Sequence, residues 1–197
     1  MSVKGLKLPP EPLTPFEIRQ LLGVISRTSS TGIRNLALIV LLWRGGPRLS
    51  EALALRPKDL SIENSTCRIL HGKGDKARVI ALDPGALAIL QLWLQRREAL
   101  EITSKSTIFC TLKGERLKTS YVRSLLPRLA KKAGIEKRVH AHGLRHTHAF
   151  ELLSEGQPLN VISIQLGHSN LATTERYLRH LNPQAVVDAI KGRTWEL

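Results

Sequence analysis

The chain has 197 residues, of which 42% are hydrophobic, so a single domain with its own core and a short arm is expected rather than several domains. Lysine and arginine total 30 against 16 aspartate and glutamate residues, and the formal net charge of +14 favours a polyanionic partner, nucleic acid ahead of an anionic membrane surface. Two cysteines without paired spacing argue against a disulfide framework or a cysteine-based zinc site, and the longest apolar run, residues 36–43, is too short to cross a bilayer.

The first residues predict an arm followed by a helix. Residues 1–12 carry lysines and prolines without the apolar stretch of a secretory signal, so we expect a linker or arm there and an intracellular, cytoplasmic protein. A single domain is expected over residues 13–197. Thr14 and Glu17 form a capping box with proline at the first helical position, which predicts a helix to about Arg27.

A small sheet interrupts the helices that are predicted for the rest of the chain. Short runs rich in β-branched residues predict strands at about residues 59–62, 66–70 and 77–81. Apolar periodicity, N-caps and terminating glycines predict helices at about residues 33–43, 49–55, 83–99, 119–133, 143–154, 158–166, 171–179 and 183–190. The expected fold class is α+β and mainly α, a helical domain with a small three-stranded antiparallel sheet.

Five short segments carry residues that could support chemistry, and each is ambiguous on its own. Arg48 follows a Gly-Gly-Pro break, and Lys73 lies at the tip of a predicted hairpin. Such residues are usually solvated surface groups. His142 and Arg145 are three residues apart and share one face of a predicted helix, while His168 lies between two helices. Tyr177 lies on a predicted helix, where a single tyrosine usually belongs to the core.

A cluster of histidines at residues 140–148 raises the question of a metal site. His142 and His146 have the i, i+4 spacing of a helical metal pair. Only Glu151 lies near enough in sequence to complete such a site, because no aspartate or cysteine is close by. We therefore expect no metal site and no cofactor.

Taken together, the segments resemble the tyrosine site-specific recombinases of the phage-integrase family. The strings GPRLSEALAL, HGKGDKARVIAL, HGLRHTHAFELLSEG and IQLGHSNLATTERYL match the family's boxes in order, and the resemblance runs from Leu13 to about Ile190. Any one match could arise by chance, whereas all of them in register form a highly specific pattern. The resemblance implies the catalytic domain of an enzyme that breaks and rejoins DNA without a metal ion or ATP.

The resemblance also implies a role for each matching residue. Tyr177 is the implied nucleophile, which forms a 3′-phosphotyrosyl link. Arg48, Arg145 and His168 are implied to bind the non-bridging oxygens of the phosphate. His142 is implied to take the tyrosine proton, and Lys73 to protonate the departing 5′ oxygen. Glu51 matches an acidic position of the family and is implied to orient active-site groups.

Double-stranded DNA is the implied partner. Phosphate contacts are expected from a set of basic residues, Lys76, Arg78, Lys131 and Lys132. The resemblance further implies a chain that is monomeric in solution and that assembles as a homo-oligomer, a tetramer, on two DNA sites through the helix at residues 183–190. Only about a dozen residues precede the catalytic region, where most family members carry a core-binding domain, so we expect weak DNA binding.

Other functions remain open on the sequence alone. A type IB topoisomerase or a hairpin telomere resolvase also uses a tyrosine and basic residues, although the HGLRH and LGHSN boxes resemble recombinases more closely. A DNA-binding regulator on the same fold would lack the activity, but competent residues at all six catalytic positions argue against it. A basic structural DNA binder with chance motifs is a third alternative.

Overall fold

The computed structural model describes residues 11–70, 77–103 and 105–167. In these ranges, seven α-helices accompany a three-stranded sheet that follows the third helix. The helices are α1 Pro15–Gly23, α2 Ser30–Arg44, α3 Leu49–Ala54, α4 Pro84–Ala99, α5 Thr119–Lys132, α6 Ala141–Ser154 and α7 Leu159–Leu166. The predicted fold class, mainly α with a small antiparallel sheet, is confirmed.

The sheet contributes one face to the core. Its strands are β1 Leu60–Ser61, β2 Thr66–Ile69 and β3 Arg78–Ala81, paired antiparallel in that order. Cys67 in the central strand pairs with Leu60 on one side and with Ile80 on the other. Cys67 and Ile69 are buried whereas Arg68 between them is exposed, because successive side chains of a strand point to opposite faces.

Helix α2 lies at the centre of the core. Every residue from Gly32 to Leu42 is buried, and the helix packs against both α4 and α6. The apolar residues on nearly all its faces explain this burial. Each fully buried aliphatic side chain contributes roughly 1.5–3 kcal/mol. This helix therefore supplies a large share of the hydrophobic stabilisation, and it provides a fixed frame for α6.

Charged groups tie the end of α2 to two other helices. Arg44 Nε donates to Asp83 Oδ2 at 2.7 Å, and Arg44 Nη1 donates to Glu151 Oε2 at 2.9 Å. Trp43 Nε1 donates to the same Glu151 carboxylate at 2.9 Å. Asp83 is the N-cap of α4 and Glu151 lies in α6. The network therefore fixes α2, α4 and α6 relative to one another where α2 ends.

The predicted boundaries are wrong between α1 and α2 and close to the structure elsewhere. The sequence predicts that α1 ends at about Arg27 and that α2 begins at about Ile33. In the structure, α1 already ends at Gly23 and α2 already begins at Ser30. The hydroxyl of Ser26 accepts the backbone N–H groups of Thr28 and Ser29. These side-chain acceptors satisfy the backbone in a loop conformation that competes with the helix.

Some predicted elements lie outside the described residues. These are the hairpin tip at residues 72–75 and the helices at residues 171–179 and 183–190. Within the part of the chain that the structure describes, no helix has both the length and the apolar character that a membrane span needs.

The pH dependence of stability should be sensitive to His148 in α6. His148 is buried, and neither ring nitrogen has a hydrogen-bond partner among the described residues. Desolvation, together with the nearby charges of Arg44 and Arg145, lowers the pKa of His148 from 6.5 to about 4. The unfolded chain binds a proton at His148 more readily than the folded chain does. The contribution of His148 to the free energy of unfolding is therefore fully present above the unfolded pKa and is lost as the pH falls toward the folded pKa.

Between about pH 7 and about pH 5, we expect the free energy of unfolding of the wild type to fall by about 2 kcal/mol more than that of His148→Gln. Urea unfolding of the full chain at both pH values measures it. An equal pH dependence in wild type and variant would show that other groups cause the acid destabilisation.

Candidate active site

The guanidinium of Arg145 joins two backbone segments that are far apart in sequence. Arg145 lies in α6 and is 2% exposed. Its Nη1 donates to the carbonyl of Gly46 and its Nη2 to the carbonyl of Leu166, both at 2.6 Å. Gly46 lies just before Arg48 in the sequence, and Leu166 lies just before His168. One side chain therefore holds the entry to α3 against the end of α7.

The glycine in the first of these segments is required by its backbone. Gly46 has a φ of +64°, in the left-handed region that residues with a Cβ rarely adopt. A Cβ there would also lie 2.7 Å from Cδ2 of His148 and 3.0 Å from Cδ2 of Leu166. The Gly-Gly-Pro break thus allows the chain to pass close to α6 and α7, with the Gly46 carbonyl directed at Arg145.

Arg48 is held by a buried carboxylate three residues further on. Arg48 is the N-cap of α3, and Glu51 Oε2 accepts its backbone N–H at 2.7 Å. Glu51 Oε1 accepts a hydrogen bond from Arg48 Nη1 at 2.8 Å. The Arg48 side chain is 31% exposed and that of Glu51 only 2%, so a buried anion holds a cation at the surface.

A second arginine shares the Glu51 carboxylate. Arg78 of β3 donates from Nη1 to Oε1 at 3.0 Å and from Nη2 to Oε2 at 2.8 Å. Burial alone would raise the pKa of Glu51, but the hydrogen bonds from Arg78 and Arg48 outweigh it and hold the pKa at about 2. Glu51 is therefore ionised at any physiological pH.

His142 lies one helical turn before Arg145 and is exposed. Its pKa lies below the ordinary value because surrounding atoms partly desolvate the ring, and because Arg145, His140 and Arg48 repel its protonated form. The ring meets His146 edge to face, with 4.4 Å between the centroids. Among the described ranges, no three histidine, cysteine or acidic side chains are placed to hold a metal ion.

The arrangement combines two cations with a neutral imidazole. His142 and Arg145 lie one turn apart in α6, and Arg145 donates to the carbonyl of Gly46, two residues before Arg48. Guanidinium groups bind phosphate and carboxylate oxygens in a fork geometry. A neutral imidazole accepts a proton at neutral pH. The cluster can therefore bind an oxyanion and take a proton from a group beside it.

Gln165 fastens the end of α7 to two other elements. Its Oε1 accepts the backbone N–H of Ala81 at 3.0 Å, and its Nε2 donates to the carbonyls of Ala81 at 2.9 Å and of Gly45 at 3.2 Å. The sequence does not predict this role, because a glutamine whose partners are remote in sequence leaves no local signal. Gln165 thus reinforces the junction that Arg145 makes.

A basic cleft opens beside Glu51. Its charged lining consists of the exposed side chains Arg56, Lys58, Arg68 and Arg116 and the buried carboxylates Glu51 and Asp59. Glu51, which also holds Arg48, lines this cleft. Its exposed surface is positively charged. The sequence does not predict the cleft, because its cations are dispersed along the chain.

The structure brings together four of the residues that the resemblance singled out, Arg48, Glu51, His142 and Arg145. Four others, Lys73, Lys76, His168 and Tyr177, lie outside the described residues. Arg78, expected to contact phosphate, has its guanidinium on Glu51. Lys131 and Lys132 are exposed at the C-terminal end of α5, and Lys132 Nζ donates to the Val24 carbonyl at 3.1 Å.

Comparison with known sequences identifies similar proteins over nearly the whole chain. Residues 11–184 match the phage integrase family. The tyrosine recombinase XerC of Thermodesulfovibrio yellowstonii is 33% identical over 189 residues, which cover 91% of this chain and 62% of the relative. The chain therefore spans less than two thirds of the length of this curated relative.

Solved structures show the same fold. The crystal structure of XerA recombinase superposes with a TM-score of 0.81 at 30% identity, covering 97% of this chain and 68% of that one. The XerH site-specific recombinase bound to its palindromic difH substrate, in a post-cleavage complex, gives a TM-score of 0.74 at 31% identity, covering 93% and 53%.

The two arginines of the cluster should differ in their effect on stability. Arg145→Gln leaves the carbonyls of Gly46 and Leu166 without a charged donor in a buried position, at a cost of about 2–4 kcal/mol. Arg48→Gln leaves Glu51 paired with Arg78 and should cost about 1 kcal/mol or less. Urea unfolding of the full chain compares the two variants. Equal losses would contradict the structural role of Arg145.

Proposed function

The chain belongs to the phage integrase family, as a tyrosine recombinase catalytic domain, and we propose that it cleaves and rejoins DNA strands in site-specific recombination. The observation that carries the proposal is the pair of hydrogen bonds from Arg145 to the carbonyls of Gly46 and Leu166. These hydrogen bonds join the segment that precedes Arg48 to the segment that precedes His168. The guanidinium that makes them lies one turn from His142 in α6. This junction supports a single phosphate site built from residues that are scattered along the chain.

The proposed reaction begins with attack on a DNA phosphodiester by the hydroxyl oxygen of Tyr177. A bond forms between this oxygen and phosphorus, and the bond from phosphorus to the 5′ oxygen breaks. The non-bridging oxygens gain negative charge on the way. Arg48 and Arg145 supply fixed positive charge there, and His168 adds a hydrogen bond. Two guanidinium groups thus provide the charge stabilisation that other phosphoryl-transfer enzymes take from metal ions.

Two proton transfers accompany the attack. A free phenol has a pKa of about 10, so Tyr177 must lose its proton as it attacks. Partial desolvation and the charges of Arg145, His140 and Arg48 lower the pKa of His142, which favours the neutral ring that can accept that proton. Lys73 gives a proton to the departing 5′ oxygen. Glu51 takes no part in these transfers and orients Arg48.

The bond energy is kept in the ester between protein and DNA. The free 5′ hydroxyl of a second strand can attack the 3′-phosphotyrosyl link, which returns the proton to Tyr177 and restores a phosphodiester. Rejoining therefore needs no ATP. Two such rounds on two duplexes exchange the strands through a four-way junction.

Double-stranded DNA is the proposed partner. The net charge of +14 and the exposed cations of the basic cleft support it. In addition, the XerH site-specific recombinase, which is 31% identical to this chain, is bound to its difH substrate. We further propose a monomer in solution that forms a tetramer on two DNA sites, linked through the segment at residues 183–190. By docking on a neighbouring subunit, this segment would help to position Tyr177.

Covalent attachment through Tyr177 tests the proposed reaction. A pool of nicked duplexes of randomised sequence, in which the cleaved fragment diffuses away, should yield a protein–DNA adduct that survives denaturing electrophoresis. Tyr177→Phe removes only the nucleophilic oxygen, so we expect no adduct and unchanged DNA binding. A normal adduct yield from the Phe variant would show that another residue is the nucleophile.

The same assay separates the proposed chemistry from a metal-dependent one. Excess EDTA should leave the adduct yield unchanged, because Arg48 and Arg145 provide the positive charge. Loss of the adduct in EDTA, with recovery on adding zinc or magnesium, would contradict the proposal.

The basic cleft should contribute to DNA affinity. Each phosphate contact adds about 0.9 to the magnitude of the negative slope of log K against log salt concentration. We expect Arg68→Gln and Arg116→Gln each to lower that magnitude, measured by fluorescence anisotropy on a duplex of random sequence.

Lys131→Gln makes a comparable loss of charge at the C-terminal end of α5 and tests the sequence-based expectation of a contact there. If it lowers the magnitude of the slope as much as the cleft variants, the DNA surface extends to that end of α5. If neither cleft variant changes the slope, the cleft does not bind DNA.

A further inference from the structure

Arg78, the first residue of β3, forms a two-pronged ion pair with Glu51 of α3. The distances are 3.0 Å from Nη1 to Oε1 and 2.8 Å from Nη2 to Oε2. The Arg78 side chain is 12% exposed and that of Glu51 is 2% exposed, so solvent screens the contact weakly. A fork-to-carboxylate pair fixes the orientation of both groups as well as their separation.

The same carboxylate holds Arg48. Each oxygen of Glu51 accepts one hydrogen bond from Arg78 and one from Arg48. Burial by itself would raise the pKa of Glu51, and Arg78 is the strongest of the groups that lower it. Without Arg78, Glu51 would be a buried anion with half of these donors, and its hold on Arg48 would weaken.

Arg78 also packs on the backbone that ends α7. Gly167 has a φ of +67°, and a Cβ there would lie 2.5 Å from Cδ and 2.6 Å from Nε of Arg78. Gly167 directly precedes His168 in the sequence. Arg78 itself follows the connection between β2 and β3 that carries Lys73. One arginine therefore links the start of β3, the carboxylate behind Arg48 and the end of α7.

We propose that Arg78 is a positioning residue for strand cleavage, which orients Arg48 through the carboxylate of Glu51. This inference rests on the proposed function. It gives Arg78 an indirect role instead of the phosphate contact expected from the sequence. Both terminal nitrogens of Arg78 donate to a buried carboxylate that neutralises its charge, whereas those of Arg145 donate to neutral carbonyls and leave its positive charge available to a phosphate.

A double-mutant cycle tests the indirect role. Single-turnover rates of adduct formation are measured for Arg78→Gln, Glu51→Gln and the double variant, on the duplex sequence recovered from the wild-type adduct. We expect Arg78→Gln to slow the reaction about tenfold to hundredfold, with the salt slope of DNA affinity unchanged. The double variant should be no slower than Glu51→Gln, because Arg78 acts through Glu51.

Two further variants serve as controls. Arg78→Lys keeps the charge without the fork and should restore part of the rate, and it replaces Arg78→Gln in the cycle if the Gln variant does not fold. Arg96→Gln changes an exposed arginine in the last turn of α4 and should keep the wild-type rate. Effects of Arg78→Gln and Glu51→Gln that multiply would overturn the proposal, because Arg78 would then act independently of Glu51. A salt slope that becomes less steep by about 0.9 in Arg78→Gln would also overturn it, in favour of direct DNA contact.

A readout without activity distinguishes this inference from the proposed function. The carboxyl carbon of Glu51, assigned by its absence in Glu51→Gln, is titrated by NMR in the wild type and in Arg78→Gln. Loss of Arg78 should raise the pKa of Glu51, since burial is then opposed by Arg48 alone. An unchanged titration would refute the role of Arg78. Failure of the wild-type chain to form any adduct would instead refute the proposed function.

Discussion

The rest of the site depends on one guanidinium that is hydrogen-bonded to two carbonyls. Arg145 is buried in α6, which packs on the central helix α2, and its donors fix the carbonyls of Gly46 and Leu166. The backbone polar groups of a connecting segment need partners wherever they are buried. By providing them from a charged side chain, Arg145 holds the segment before α3 against the end of α7. A shift of this one side chain would displace both segments together.

A buried carboxylate organises the cations in a second layer. Glu51 accepts two hydrogen bonds from Arg48 and two from Arg78, so its charge is compensated in a desolvated position. Buried ion pairs contribute little net stability compared with apolar packing. Their value here is geometric, because they hold Arg48 at the surface in one orientation. Gln165 and the positive φ of Gly167 then set the end of α7 beside the same strand that carries Arg78.

The sequence predicted the features that depend on neighbouring residues. The capping box of Thr14 and the N-cap at Asp83 gave correct helix starts, because caps are local hydrogen bonds. The set of Arg48, Glu51, His142 and Arg145 came from the ordered boxes of a family. The pairing of Arg78 with Glu51 could not be predicted, because it joins a strand to a helix and depends on the tertiary packing of both. The same reason explains why a phosphate contact was expected of Arg78, since a lone arginine after a basic turn usually faces solvent.

A crystal structure of the full chain with nicked DNA and orthovanadate would show whether Tyr177, Arg48 and Arg145 surround the reacting phosphate, because vanadate mimics the five-coordinate phosphate of the cleavage reaction. We predict that the vanadate bonds to the hydroxyl oxygen of Tyr177. Nitrogens of Arg48 and Arg145 should lie within about 3 Å of its equatorial oxygens. A vanadate bound to another residue, or one that Arg145 does not contact, would contradict the account.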